Sequence, residues 1–254
     1  MSGESSSRTN LEIPQVQKDL LKALLKTGKP VVLVLFDGRP LVLNDEKATV
    51  PAILNVWFAG SEAGNAIADV LFGDVNPSGK LTTTFPRSVG QIPIYYAHKN
   101  TGRPLSNKEG KFEKFTSNYL DERNEPLFPF GFGLSYTTFE YSNLKTSSDK
   151  MNFGGKVNVS VDVTNTGNFD GKEIVQLYIR DLVGTVTRPV RELKGFQKIA
   201  LKKGEKQTVT FEITVEDLKF YNSDLQFVAE PGQFDIFVGE NSNADKKVSF
   251  SLVE

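Results

Sequence analysis

From Lys156 onward the chain beats in twos. In "KVNVSVDVTN" Val157, Val159, Val161 and Val163 are each separated by one polar residue. The same beat returns at Val175, Leu177 and Ile179, at Val209, Phe211, Ile213 and Val215, and at Phe234, Ile236 and Val238. A period of two belongs to a strand with one face on a core and one in water, and it excludes helix over these stretches. Turn formers sit between them in "NTGNFDG", "KKGEK" and "AEPGQ". Short alternating strands punctuated in this way form an antiparallel sandwich. We therefore expect residues 135–254 to be one all-β, immunoglobulin-like domain of about 100 residues.

The preceding residues, 1–134, follow other rhythms and read as α/β. "IPQVQKDLLKALLKTGKP" spaces Ile13, Val16, Leu20, Leu21, Leu24 and Leu25 as a helical stripe, with Pro14 suited to the first turn and Gly28 and Pro30 to the stop. "VVLVLF" is a short unbroken apolar run, which fits a strand buried on both faces of a parallel sheet. "AILNVWF" is a second such candidate. The stretch after it sets Ala63, Ile67, Val70 and Leu71 on one helical face and closes at Gly73. A β-ribbon is expected at "RPLVLN". From "DVNPSGKL" to "PLFPFGFG" the pattern loosens into a long excursion rich in Pro, Gly, Asn and Lys, of the kind that is functional or braces a neighbouring domain.

Composition narrows the chemistry. With 30 basic and 31 acidic side chains the net charge is −1, so nothing favours nucleic acid or an anionic membrane as a partner. Cysteine is absent, which excludes disulfides, thiolate metal sites and a cysteine nucleophile. The one histidine, His98, excludes a multi-histidine metal centre, and its place in "YYAHKNTGRP" reads as a loop. No apolar run is long enough to span a membrane. The α/β part also looks insufficient: two buried strands leave apolar surface uncovered where a doubly wound sheet needs more strands and helices on both faces. The expectation is an incomplete α/β layer, finished by another chain or by sequence upstream.

Longer stretches carry a resemblance. "WFAGSEAGNAIADVLFGDVNPSGKLTTTFPRSVGQIPIYY" and "LFPFGFGLSYTTFEYSNL" resemble glycoside hydrolase family 3, and "NTGNFDGKEIVQLYIRD" and "RPVRELKGFQKIALKKGEKQTVTFEI" resemble that family's fibronectin type III-like domain. The nearest likeness is to its periplasmic bacterial β-glucosidases. In that family a barrel with the nucleophilic aspartate precedes an α/β sandwich and the fibronectin-like domain. Nothing here resembles the barrel, so the likeness implies the carboxy-terminal portion of a retaining β-glucosidase. The implied substrate is a β-glucoside or oligosaccharide, the implied partner is the missing amino-terminal barrel, no metal or cofactor is needed, and the location is periplasmic or secreted. The family carries a Glu-containing loop in this domain whose glutamate serves as general acid/base. Placed on "SGESSSR", that residue is Glu4, with Arg8 as a candidate for ordering the loop by pairing with a carboxylate.

Each other candidate has a plain alternative. Glu62 stands where it favours a helix amino terminus. Gly60 and Gly64 have the wrong spacing for a phosphate loop and suggest close helix packing. Trp57 reads as core or interdomain, "PFGFG" as packing between domains, and Tyr95, Tyr96 and Tyr119 as candidates for the rim of outer sugar subsites. Two other functions stay open: a β-xylosidase of the same family, and a non-catalytic structural or carbohydrate-binding module. A nucleotide-binding α/β protein lacks its phosphate loop.

Overall fold

The computed structural model describes residues 5–105 and 114–254. The chain divides into two compact units, the first drawn from Met1–Val75, Thr83–Ile94 and Ser106–Phe128, the second from Asn76–Thr82, Tyr95–Leu105 and Pro129–Glu254. The fold class is an α/β part followed by an all-β sandwich, and among the described residues no helix is long and apolar enough to cross a membrane.

In the first unit helix α1 (Gln15–Leu25) leads into strand β1 (Val32–Leu35), helix α2 (Asn44–Thr49), strand β2 (Ala52–Asn55) and helix α3 (Ala63–Phe72). β1 and β2 pair in parallel, Val32 opposite Ala52 and Leu35 opposite Asn55. The expected ribbon at "RPLVLN" is replaced by a loop and the start of α2. The reason is local: Leu43 is buried to 1 % exposure as the cap residue before α2, and the Val42 amide is taken by the Leu11 carbonyl rather than by a strand partner. Gly73, in the left-handed region at φ 88°, ends α3. A small core of Ile13, Leu35, Leu43, Val50, Phe85 and Leu127 fixes the unit. Phe85 lies between the rings of Trp57, at 5.8 Å, and Phe128, at 6.1 Å.

α1 is turned against expectation. Val16, Leu20 and Leu24, one apolar row at i, i+4 and i+8, are 76 %, 61 % and 46 % exposed, while Lys18 on the other side is buried. The Lys18 ammonium donates to Glu12 at 2.8 Å and lies 4.0 Å from the buried Glu46.

The second unit is a sandwich of strands β3 (Phe139–Thr146), β4 (Lys150–Asn152), β5 (Lys156–Asn165), β6 (Gly171–Asp181), β7 (Glu192–Leu201), β8 (Lys206–Thr214), β9 (Phe220–Tyr221), β10 (Phe227–Val228), β11 (Gly232–Gly239) and β12 (Lys247–Val253), with a one-turn helix α4 (Val215–Leu218) after β8. One sheet runs β4-β12-β11-β6-β7, the other β3-β5-β8, and β9 and β10 form a small hairpin. The alternating residues meet between the sheets: Val157, Val159, Val163, Val175, Leu177 and Ile236 are fully buried. β6 departs from simple alternation, because its other face is covered as well. There Tyr178 is fully buried, donates to the Gln176 side chain at 2.6 Å and meets the Tyr96 ring at 5.7 Å.

The stretch 76–82 lies on this unit as an added layer. The Leu81 amide donates to Phe132, and the Gly131 amide donates back to Leu81, at 2.8 and 2.7 Å. Gly131 has φ 81°, and a side chain there would strike Gln176; one at Gly133 would strike the Gly79 carbonyl. Beneath this layer the Lys80 ammonium sits 3.2 Å from the buried Glu173 carboxylate, which also accepts from the Tyr141 hydroxyl at 2.9 Å. Burial pushes the Glu173 carboxyl and the Tyr141 hydroxyl up, while Lys80 pulls the carboxyl back toward its ionised form.

Candidate functional site

The chemistry-bearing groups of the first unit gather where a parallel sheet offers its site, at the carboxyl ends of the strands. Asp37 follows β1 and Asn55 ends β2. The Asp37 carboxylate is buried, and with its nitrogen turned toward it the Asn55 amide donates to both oxygens, at 2.9 and 3.2 Å. Burial raises the Asp37 carboxyl to about 6, opposed by a backbone amide. Past the turn, an Arg39 guanidinium nitrogen donates to the carbonyl of Arg8 at 3.0 Å, and three residues on the Val42 amide donates to Leu11 at 3.0 Å. Residues 8 to 11 are therefore held on the loop after β1. Neither Asp37, Arg39 nor Asn55 stood out in the sequence; their position directly after an apolar strand run was the available signal.

Glu4 lies outside the described residues. The Arg8 side chain is exposed and makes no ion pair among the described residues; its backbone carbonyl is the group that is held. Glu62 is the cap residue of α3, yet its carboxylate accepts from Asn65 at 2.6 Å and bonds no helix amide. Gly60 and Gly64 do not serve close packing among the described residues: a side chain at either would meet none of them within 4 Å. Gly60 is needed for its backbone, at φ 74°. Trp57, also left-handed at φ 50°, packs on Phe85. The Tyr96 ring stacks on Phe130 at 4.4 Å and its hydroxyl accepts from the Leu193 amide, so it is a packing residue of the second unit, which also takes in the "PFGFG" turn. Tyr95 and Tyr119 are 58 % and 42 % exposed. The His98 carbonyl accepts from Val190, which leaves the loop reading intact.

An α/β layer with polar groups at its strand ends, followed by a fibronectin-like sandwich, is a two-part architecture; family models and relatives make it specific. Residues 1–136 match the Glycosyl hydrolase family 3 C-terminal domain, and residues 173–242 match the Fibronectin type III-like domain. The chain belongs to glycoside hydrolase family 3, as a carboxy-terminal portion. It is 56 % identical over 253 residues to the periplasmic β-glucosidase of Salmonella typhimurium, covering 100 % of this chain and 33 % of that protein. It is 47 % identical over 98 % of its length to a β-xylosidase of Formosa agariphila, again 33 % of that protein. The crystal structure of a Listeria innocua β-glucosidase in complex with glucose superposes with a TM-score of 0.92 at 44 % identity, over 99 % of this chain and 35 % of that one. The chain thus spans about a third of the length of the relatives it matches.

Proposed function

We propose that this chain is the carboxy-terminal portion of a retaining β-glucosidase that removes terminal β-D-glucosyl residues, with Glu4 as general acid/base and the nucleophilic carboxylate on an amino-terminal barrel outside this chain. The observation that carries the reading is the 56 % identity to a periplasmic β-glucosidase along the whole chain. The same likeness supports a periplasmic or secreted location. The exposed apolar row of α1 and a parallel sheet of two strands among the described residues support further polypeptide on the first unit. We take residues 1–134 and 135–254 as the two inherited domains.

In the first half-reaction the nucleophilic carboxylate bonds the anomeric carbon while the bond to the leaving oxygen breaks, and the Glu4 carboxylic acid protonates that oxygen. In the second, Glu4 as carboxylate takes a proton from water, whose oxygen bonds the anomeric carbon as the glycosyl ester breaks. The two carboxyl groups must stand roughly 5–5.5 Å apart, and the acid must hold its proton near working pH. One carboxyl without its opposite does neither, so the isolated chain is expected to hydrolyse nothing.

The test is hydrolysis of p-nitrophenyl β-D-glucoside by the full-length protein, its Glu4→Gln variant and this chain alone. Activity confined to the full-length protein and reduced about 100-fold or more in Glu4→Gln supports the reading. Turnover by the isolated chain, or an unaffected variant, refutes it. The likeness to a β-xylosidase favours one second reading, β-xylosidase activity; a higher kcat/KM on the matching xyloside would establish it.

A further inference from the structure

We propose that the β9–β10 hairpin of the sandwich is a non-catalytic binding site for a neutral β-glucan, whose glucose rings stack on Tyr221 and Phe227. These two residues stand directly opposite each other in the hairpin register and share one face, while Phe220 and Val228 share the other. The second face is anchored: Phe220 is buried, with the Arg188 guanidinium 4.0 Å from its ring centroid. The first is turned to solvent. Tyr221 and Phe227 are 65 % and 51 % exposed, their ring centroids lie 5.0 Å apart, and their planes are inclined at 42°.

The turn between them is set before any ligand arrives. The Asn222 side-chain oxygen accepts from the Asp224 and Gln226 amides at 3.0 and 2.9 Å. The Asn222 amide donates to the Gln226 carbonyl and the Leu225 amide to the Asn222 carbonyl, both at 3.1 Å. Just past β10, the Glu230 carboxylate accepts from the Thr185 amide and hydroxyl at 2.9 and 2.6 Å. A site fixed in this way loses little freedom on binding. At the tip Leu225 is 81 % exposed at φ 60°, an apolar residue in a backbone conformation that does not favour it.

Charge and size choose the occupant. Asp224 is the one charged side chain between Phe220 and Val228, so the hairpin itself offers no counter-charge to nucleic acid, an anionic membrane or an acidic peptide. Even wholly covered, two aromatic rings bury roughly 300–500 Å², short of the about 800 Å² per partner of a stable protein interface. A β-linked glucose ring matches instead. Its hydroxyls are equatorial, which leaves weakly positive C–H groups on its faces to meet the negative face of an aromatic ring. The amides of Asn222 and Gln226, each next to one of the rings in the chain, can bond the hydroxyls. The choice of glucan over another pyranose chain rests on the β-glucosidase reading above; the site itself does not.

The experiment is affinity electrophoresis of this chain through native gels containing mixed-linkage β-glucan or, in parallel, xylan. It compares wild type with Tyr221→Ala, Phe227→Ala, Tyr221→Leu and a control, Phe196→Ala, at another exposed aromatic of the sandwich. Glucan is expected to slow wild type and Phe196→Ala alike, and the apparent affinity to fall roughly 3- to 10-fold in each of the other alanine variants. Tyr221→Leu, which keeps apolar bulk without a ring, is expected to fall as well. No retardation of wild type, equal retardation of every variant, or retardation by xylan alone overturns the proposal. Should an alanine variant not fold, Tyr221→Leu carries the test, and a Tyr221→Leu chain equal to wild type would refute it. Hydrolysis of p-nitrophenyl β-D-glucoside by the full-length protein keeps the two readings apart. Absent hydrolysis with retained glucan binding fails the catalytic reading, and hydrolysis without glucan retardation fails this one.

Discussion

Replacing Lys80 by methionine keeps most of the apolar stem and removes one charge from beside a buried carboxylate. The Lys80 and Glu173 side chains are 9 % and 3 % exposed and 3.2 Å apart, so solvent screens this pair little. Removing one partner of a buried pair costs about 3–5 kcal/mol, because the other charge is left uncompensated. Glu173 keeps the Tyr141 hydroxyl at 2.9 Å and can also take up a proton, which places the expected loss near the low end, about 3 kcal/mol at pH 7. The sign with pH follows from the carboxyl. Its folded value is already raised above the ordinary 4.5 by burial, so its contribution to stability is complete below that value and fades as pH rises through the folded one. Without Lys80 the folded value rises further. At pH 4 the carboxyl is protonated folded and unfolded, and what remains is mainly the lost hydrogen bond from Lys80 to the Gly133 carbonyl, about 1 kcal/mol. Urea unfolding followed by far-UV circular dichroism reads the β-rich unit, while the lone tryptophan, Trp57, reports on the other unit. Adding Glu173→Gln to Lys80→Met should restore about 2 kcal/mol at pH 7 and almost nothing at pH 4. A Lys80→Met deficit equal at both pH values, or no recovery in the double variant, refutes the reasoning.

Three further outcomes are expected. Leu177→Ala, at a fully buried site between the sheets, should cost about 3 kcal/mol in the same unfolding assay, while Leu225→Ala, 81 % exposed, should stay within about 0.5 kcal/mol. Asp37 is raised to about 6 by burial, so its contribution to stability is present below about pH 4 and lost as pH rises through 6; Asp37→Asn should flatten the pH dependence of Trp57-monitored unfolding between those values, and an unchanged slope would count against the burial. Leu20→Lys, on the exposed row of α1, should leave the isolated chain's unfolding midpoint unchanged and lower its binding of an apolar dye, whereas a loss above about 1 kcal/mol would mean that the row is packed within this chain.

Where a pattern needed only its own neighbours, the sequence was readable. The valines of β5 and the Val175, Leu177 and Ile179 series of β6 lie in the sandwich core as their alternation required, because period two leaves a strand one way to bury its apolar side. Gly73 closes α3 for an equally local reason, a left-handed residue that glycine adopts without strain. What depended on distant groups was not readable. Tyr178 sits on the polar side of β6's alternation and is fully buried, because Tyr96 and Gln176 cover it. The segment "RPLVLN" has strand composition, yet Leu43 gains more as a buried residue at the start of α2 than as part of a ribbon. At the candidate site, Arg39 and Asp37 look like ordinary turn residues until the leader and the end of β2 are brought beside them.

α1 marks the limit of such reading. Its stripe of Ile13, Val16, Leu20, Leu21, Leu24 and Leu25 identified a helix, yet within that stripe Val16, Leu20 and Leu24 are exposed while Ile13 is buried and Leu21 and Leu25 are half-buried. Periodicity states which side of a helix avoids water; it does not state that the covering surface belongs to the same chain. The opposite side holds Lys18 between Glu12 and Glu46, contacts that a helix free to rotate would exchange for burial of three apolar side chains, each worth about 1.5–3 kcal/mol when fully buried. That it does not rotate follows from its connections: Ile13 is buried in the core just before it, the Leu11 carbonyl is bound by Val42, and β1 begins a few residues after its end. The connections of α1, and not its apolar row, thus set which face it turns inward.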